Sequence, residues 1–318
     1  MNGRLILALA ILVTGCGGST PVEDGFRVAL VTPGSVADAA WNSGAWAGLN
    51  RIRDSLDVPI SHVEARTPSE QEEALRTYAE QGYDLIFGHG FEFQDAAERV
   101  AQEYPDPVFV ITSGQRVSGK VVPLIFRFSE ATYLAGVVAG SLTRTGRIGF
   151  VGGIELPPVK EGYEAWVAGA MSVRPDVDSR VTYLNTFDDA VAGREAALAM
   201  MQLRVDMLHH NADAAGLGVF QAAKEKPSVY VFGANADQSG LAPDRVPGSA
   251  VIDLPRAFLA VARQVRGGDF VPAVETFGLA SGVVQFVENP ALADLFTPEI
   301  RARVDAARDS IEAAGRNR

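Results

Sequence analysis

The chain has little that would support redox, metal or nucleic-acid chemistry. Its 318 residues contain one cysteine, so no internal disulfide can form. Of the four histidines only His209 and His210 are neighbours, and on a strand they would point to opposite faces, which disfavours a shared metal ion. Acidic residues outnumber basic ones by 39 to 28, a net charge of -11, which disfavours binding to a nucleic-acid backbone. The sequence also lacks the G-x-S-x-G, H-E-x-x-H and phosphate-loop patterns of common enzymes. We therefore expect a protein that is not an enzyme and uses no metal or cofactor.

Long apolar runs are also missing, and the one near the N-terminus is short. Residues 5–13 are apolar but too few to span a bilayer, as in the central region of a signal peptide. Small residues then precede Cys16, and this order resembles a bacterial lipobox. We expect residues 1–15 to be a signal peptide, Cys16 to carry lipid, and residues 16–25 to form a tether. The protein would then be held at the cell membrane, facing the periplasm or the cell exterior.

From residue 26 onward, strand-like and helix-like segments alternate. Short loops between them predict parallel sheets with right-handed crossovers. Two such series follow each other, so we expect an α/β protein with two doubly wound lobes joined by a hinge. The predicted N-terminal lobe covers 26–128, with part of 255–290 returning to it. The predicted C-terminal lobe covers 129–254, and 291–318 would form a surface helix. Small residues in 129–145 predict close helix packing where the lobes meet.

The stretch 26–49 indicates where a ligand site would lie. A buried apolar strand ends in a loop that carries Asp38, Trp41 and Asn42, and a helix follows. Open α/β sheets bind ligands beyond the carboxyl ends of their strands, where such loops meet. The alternative is that Trp41 belongs to the core and Asn42 only caps the helix.

Other strand ends carry similar side chains. Aromatic rings can stack on a planar ligand, while amides and carboxylates bind its N–H or hydroxyl groups. These candidates are Phe91, Asp95, Phe187, Asn235 and Asp237. For each of them helix capping or core packing is the alternative, and capping is favoured for Asp188 and Asp189. No cluster of Arg or Lys follows these strands, which disfavours an anionic ligand.

Several motifs together resemble the basic membrane protein (BMP) family. They are the lipobox, the Asp38-x-x-Trp41-Asn42 loop, and the segments at 88–95, 133–136, 149–153, 187–189 and 216–224. The resemblance implies the type I periplasmic-binding-protein fold. It also implies a lipid-anchored, solute-binding protein of an ABC importer, whose partners are a permease and an ATPase. The best characterised members of the family bind purine nucleosides between the lobes.

The resemblance implies roles for individual residues. Trp41 and Phe187 would stack on the ligand, with Asn42 and Asp95 reading the edge of a purine-like base. It also implies that two glycines let the backbone approach the ligand, Gly216 and Gly218.

Two departures from the family pattern concern the ribose. Asn235 stands where nucleoside-binding members have Asp, and Ile252 where they have Lys. A nucleoside and a free nucleobase therefore both stay open as ligands. Two other functions also stay open, a ligand-sensing module of the same fold that is not coupled to transport, and an exported nucleoside hydrolase.

Overall fold

A computed structural model describes residues 25–316 of the chain. The predicted signal peptide, the lipidation site Cys16 and nearly all of the tether lie outside the described residues. Within residues 25–316, no helix combines the length and the apolar character needed to cross a membrane.

Strands and helices alternate along the described chain, as predicted. The strands are β1 (Val28–Thr32), β2 (Ile60–Glu64), β3 (Leu85–His89), β4 (Val108–Thr112), β5 (Val121–Phe126), β6 (Arg147–Gly152), β7 (Asp178–Tyr183), β8 (Met207–Asn211), β9 (Tyr230–Asn235), β10 (Gly248–Ile252), β11 (Glu275–Phe277) and β12 (Val284–Glu288). The α-helices are α1 (Trp41–Leu56), α2 (Pro68–Glu80), α3 (Gln94–Glu103), α4 (Phe128–Leu142), α5 (Pro157–Val173), α6 (Ala190–Gln202), α7 (Asp213–Lys224), α8 (Leu254–Gly267) and α9 (Pro298–Arg316). Short 3₁₀ turns occur at Phe91–Phe93, Ser239–Leu241, Leu279–Ser281 and Pro290–Leu295.

The strands form two six-stranded sheets, one in each lobe. The first has the order β11-β5-β4-β3-β1-β2 and is parallel throughout. The second has the order β12-β10-β9-β8-β6-β7, and only its edge strand β12 runs antiparallel. The central strands are buried along their whole length, which explains their unbroken apolar sequences. This confirms the predicted α/β fold class.

The boundaries of the helices follow from local sequence signals. Thr67 caps α2 and exchanges hydrogen bonds with Glu70 in a capping box, with Pro68 in the first turn. Asp253 caps α8, which ends at Gly268 in the left-handed conformation. These local signals set where each helix begins or ends, and therefore where the neighbouring loops start.

The chain crosses between the lobes three times, between β5 and α4, between β10 and α8, and between β11 and β12. The crossings are hydrogen-bonded to one another. Arg127 N–H donates to the Phe277 carbonyl at 2.7 Å, and Asp253 N–H donates to the Val283 carbonyl at 2.7 Å. The segment between α8 and α9 thus contributes one strand to each sheet, β11 to the first and β12 to the second.

The small residues of α4 serve a different purpose from the one predicted. They were predicted to pack where the lobes meet, but they pack closely against α5 within the second lobe. A Cβ added at Gly136 would overlap the Trp166 carbonyl oxygen, and one added at Gly169 would overlap the Tyr133 carbonyl oxygen. Helix α9 lies on α4, and Ile300 in its first turn is buried.

Candidate ligand-binding cleft

A cleft of about 440 Å³ lies between the lobes, where the carboxyl ends of the central strands face each other. Its lining includes Trp41, Asn42 and Phe91 from the first lobe and Phe187, Asp213 and Asn235 from the second. A volume of this size falls in the range that small organic ligands occupy in proteins. The cleft is therefore the candidate ligand site.

Trp41 is the first residue of α1 and is only partly buried. Its indole stacks on the buried His89 ring, with 4.1 Å between the ring centroids and 23° between the planes. His89 Nε2 lies 3.0 Å from the Trp41 carbonyl, and since a carbonyl only accepts, Nε2 carries the proton. His89 Nδ1 then accepts a hydrogen bond from the Thr112 hydroxyl at 3.1 Å. These contacts hold the indole at the cleft.

Asp38 organises the loop that precedes α1. Its carboxylate accepts three backbone N–H bonds, from Ala40 at 3.0 Å, Asn42 at 2.7 Å and Ser43 at 2.9 Å. A carboxylate at a helix N-terminus satisfies N–H groups that have no partner within the helix. Asp38 lines the cleft, but both of its oxygens are already engaged by the protein.

Asn42 lines the cleft and carries a side-chain oxygen without a hydrogen-bond partner. Its side chain is 5% exposed, and its Oδ1 atom has no hydrogen-bond partner. A buried polar atom without a partner costs roughly 1–3 kcal/mol. Such an atom in a cleft is the kind of group that a ligand donor can satisfy.

Two phenylalanines add apolar surface from opposite lobes. Phe91 begins the 3₁₀ turn after β3 in the first lobe. Phe187 follows β7 in the second lobe, and its ring lies so close to Gly153 that an added Cβ would overlap it. The orientation of the Phe187 ring therefore depends on glycine at position 153.

Three polar residues of the second lobe form a cluster. Asn235 Nδ2 donates to Asp213 Oδ1 at 3.2 Å and lies 3.5 Å from Asn211 Oδ1. Asp213 and Asn235 both have left-handed backbones, with φ of 45° and 65°, which Asn and Asp tolerate better than most residues. Burial, followed by the nearby Asp38 carboxylate, raises the pKa of Asp213 well above its usual value.

The charged lining of the cleft is mainly acidic. Among the residues of the described chain, Arg66 is the single cation in the lining. It donates to Glu64 through Nε at 2.6 Å and to Asp188 through Nη1 at 3.0 Å. Both of its partners are carboxylates, so its charge is already balanced.

The Arg66–Asp188 contact also joins the two lobes across the cleft, since Arg66 follows β2 and Asp188 follows β7. A second contact of this kind is made by Gln238, whose Nε2 donates to the Ala39 carbonyl at 3.2 Å. Gln238 Oε1 accepts from His210 at 2.8 Å, which secures the glutamine in the second lobe. The two lobes thus contact each other directly at the cleft, through the Arg66–Asp188 and Gln238–Ala39 hydrogen bonds.

Comparison with known proteins establishes the family. The family model for ABC transporter substrate-binding proteins of the PnrA-like type (Bmp) matches residues 26–307. The chain belongs to the Bmp family. It is 32% identical over 305 residues to basic membrane protein A of Borreliella burgdorferi, covering 92% of this chain and 89% of that protein. It is also 32% identical over 258 residues to the ABC transporter nucleoside-binding protein BmpA of Lactococcus lactis, covering 74% and 73% of the two chains.

The fold agrees with a solved structure of an ABC transporter solute-binding protein from Aeropyrum pernix. The TM-score is 0.84 at 20% identity, covering 91% of this chain and 92% of that one. This Bmp-family protein therefore has the type I periplasmic-binding-protein fold and is a substrate-binding protein of an ABC transporter.

Six of the ten predicted site residues line the cleft of this Bmp-family protein. They are Asp38, Trp41, Asn42, Phe91, Phe187 and Asn235. Asp95 does not, because its exposed carboxylate lies on the outer part of α3 and pairs with Arg116 at 2.8 Å. Asp237 is exposed too, and it accepts from the Ser239 backbone N–H at 3.0 Å.

The two predicted glycines also lie outside the lining, and both allow close packing within the second lobe. A Cβ added at Gly216 would overlap the His210 ring. A Cβ at Gly218 would lie 2.6 Å from the Arg194 backbone nitrogen and closer still to the Ala190 carbonyl oxygen. Gly218 therefore lets α7 approach α6, and Gly216 makes room for a buried histidine.

Sequence reasoning missed Asp213 as an individual site residue. Asn211 ends β8 and Asp213 begins α7, so both belong to the strand-end segment 211–218, in which only Gly216 and Gly218 were singled out. The long-range contact between Asn235 and Asp213 could not be read from the sequence, because 22 residues separate them.

Proposed function

We propose that the protein binds a planar, purine-like ligand, a nucleoside or a nucleobase, for import by an ABC transporter. The observation that carries this proposal is the buried, unpartnered Oδ1 atom of Asn42, a residue that lines the cleft together with Trp41. A side-chain amide carries a donor group (NH2) next to an acceptor oxygen, which matches the mixed edge of a purine. Stacking on an aromatic ring stabilises a bound base by about 1–3 kcal/mol.

The charges of the cleft favour an uncharged ligand over a nucleotide. The one lining arginine in the described chain, Arg66, is held by two carboxylates. A phosphate would therefore meet acidic groups without a free cation to compensate. The name of the Lactococcus lactis relative, a nucleoside-binding protein, supports the same ligand class.

Thermal-shift measurements on the protein without residues 1–15 test this proposal. The panel contains purine nucleosides, the free nucleobases and flavins, with the matching nucleoside monophosphates as negative controls. A ligand at about 100 times its Kd stabilises the folded protein by about 2.7 kcal/mol, a readily measured shift. Stabilisation by a nucleoside or base, and none by its monophosphate, supports the proposal. If no planar compound in the panel stabilises the protein, the ligand class is wrong.

A pair of variants locates the bound ring. Asn42→Ala removes the free amide and is expected to weaken binding about tenfold. Asn50→Ala is the matched control, since Asn50 lies two turns further along α1 and donates to the Trp46 carbonyl at 2.8 Å, away from the cleft. Equal affinities for both variants would remove Asn42 from the site.

We also propose that a lipid on Cys16 anchors the protein at the outer side of a cell membrane. The lipobox-like sequence before Cys16 supports this part of the proposal. Cell fractionation tests it, with mass spectrometry of the N-terminal peptide. The wild-type protein is expected in the membrane fraction with a lipid-modified Cys16, and Cys16→Ser is expected to release it. An unmodified N-terminal peptide from the membrane fraction would contradict lipidation.

A further inference from the structure

We propose that Asp213 binds adjacent hydrogen-bond donors of the ligand from the second lobe, and that Asn235 positions it. This inference rests on the proposed function, because it assigns the second end of the same ligand. The donors would be two neighbouring hydroxyl groups or an amino group on the ring.

The position of Asp213 supports this role. It is the first residue of α7, two residues after the end of β8, and it is 7% exposed at the lining of the cleft. Among the described residues, its carboxylate accepts one side-chain hydrogen bond, from Asn235 Nδ2 to Oδ1 at 3.2 Å. The amide of Asn235 thus orients the carboxylate and leaves Oδ2 for another donor.

The surrounding charges explain why a ligand donor is needed. Burial raises the pKa of Asp213 most. The nearby carboxylates of Asp38, Glu92 and Asp188 raise it further. Arg66, the lining cation of the described residues, is bound to Asp188 and Glu64 instead. An ionised Asp213 is therefore unfavourable, and donors of a ligand would offset this cost.

A second, independent observation points to a ligand in the same cleft. Asn42 in the first lobe has a buried Oδ1 atom without a partner. Each lobe thus places at the cleft a polar group that can take a further hydrogen bond, a neutral amide in the first and a carboxylate in the second. A ligand with a base edge at one end and donors at the other would satisfy both and hold the lobes together.

Exchange of the two side chains tests the assignment. The variants are Asp213→Asn, Asn235→Asp and the double variant. In the double variant the carboxylate and the amide of this hydrogen-bonded pair exchange positions. Asn and Asp have the same shape and both tolerate left-handed backbones, so folding is preserved. Asp176→Asn is the control, because Asp176 lies in the same lobe with a side chain that is 81% exposed. Affinities are measured by calorimetry for inosine, 2′,3′-dideoxyinosine, hypoxanthine and adenine.

Asp213→Asn is expected to weaken binding about 10- to 100-fold, and the double variant is expected to restore part of the loss. If the ligand donors are sugar hydroxyls, inosine is affected and dideoxyinosine is not. If they are ring amino groups, adenine is affected and hypoxanthine is not. Equal affinity of Asp213→Asn and wild type for every compound that binds would overturn the proposal.

The ligand-free protein separates this inference from the proposed function. Burial and the nearby carboxylates make an ionised Asp213 unfavourable in the folded state, so Asp213→Asn should raise Tm at pH 7 by a few degrees and have a smaller effect at pH 4. If wild type binds none of the four compounds but Tm rises in this way, the proposed ligand is wrong and the role of Asp213 stands. If Asp213→Asn lowers Tm at pH 7, Asp213 is a structural residue of α7 and the inference fails.

Discussion

Three buried histidines are expected to make the folded protein sensitive to acid. Burial lowers the pKa of His89 and His209 to about 3 and that of His210 to about 4. In the unfolded chain each histidine titrates near its usual value of about 6.5. Below that pH the unfolded chain binds protons that the folded chain does not bind. The free energy of unfolding is therefore highest above about pH 6.5 and falls as the pH drops towards the folded pKa.

The size of the effect follows from the pH interval. From pH 6.5 to pH 5, each histidine removes about 1.36 kcal/mol per pH unit, or about 2 kcal/mol in all. Three histidines remove about 6 kcal/mol, a large part of the roughly 5–15 kcal/mol typical of folded proteins. Asp213 acts in the opposite direction, because its raised pKa favours the folded state as the pH falls.

His209→Gln isolates one of these contributions. His209 lies away from the cleft, packed against the Phe150 and Trp166 rings, and its Nδ1–H donates to the Phe232 carbonyl at 3.1 Å. Guanidinium titrations at pH 8, 7, 6 and 5 give the free energy of unfolding for wild type and variant. The decrease between pH 8 and pH 5 should be about 2 kcal/mol smaller in the variant.

The comparison uses the change with pH, so a general loss of stability in the variant does not affect it. His62→Gln is the control, because His62 is only partly buried and the nearby Glu64 partly offsets the lowering of its pKa. The pH dependence of this control should stay closer to that of wild type. An unchanged pH dependence in His209→Gln would refute the reasoning, since it would mean that His209 binds a proton in the folded protein.

Three further predictions concern the cleft and the packing around it. Trp41→Ala should weaken binding of any planar ligand about 5- to 100-fold in calorimetry, and unchanged affinity would assign the ring to core packing. Gly218→Ala should lower the stability by about 1–3 kcal/mol in denaturant titrations, because the added Cβ overlaps the neighbouring helix. Gly240→Ala, where a Cβ meets nothing within 4 Å, is its control, and equal stability of the two variants would contradict this packing. Arg66→Gln removes the exposed pair with Asp188 and should change ligand affinity less than about fivefold, so a much larger loss would mean that this pair controls closure.

Local sequence patterns determined the secondary structure and the general location of the site. Unbroken apolar runs mark strands that are buried on both faces, and turn residues mark where each one ends. The carboxyl ends of parallel strands meet at one edge, which is why Trp41, Asn42, Phe91 and Phe187 could be predicted to lie together. Capping at Thr67 likewise depends on residues only three positions apart.

Only the tertiary structure decided which polar groups near the strand ends face the ligand cleft. Asp95 and Asp213 follow strands in similar ways, yet one pairs with Arg116 in solvent and the other is buried beside Asn235. The same holds for Gly218, whose role depends on how closely another helix approaches. These outcomes depend on contacts between residues far apart in the chain. Sequence patterns report local periodicity and turn chemistry, whereas such contacts form only when the lobes and helices pack together.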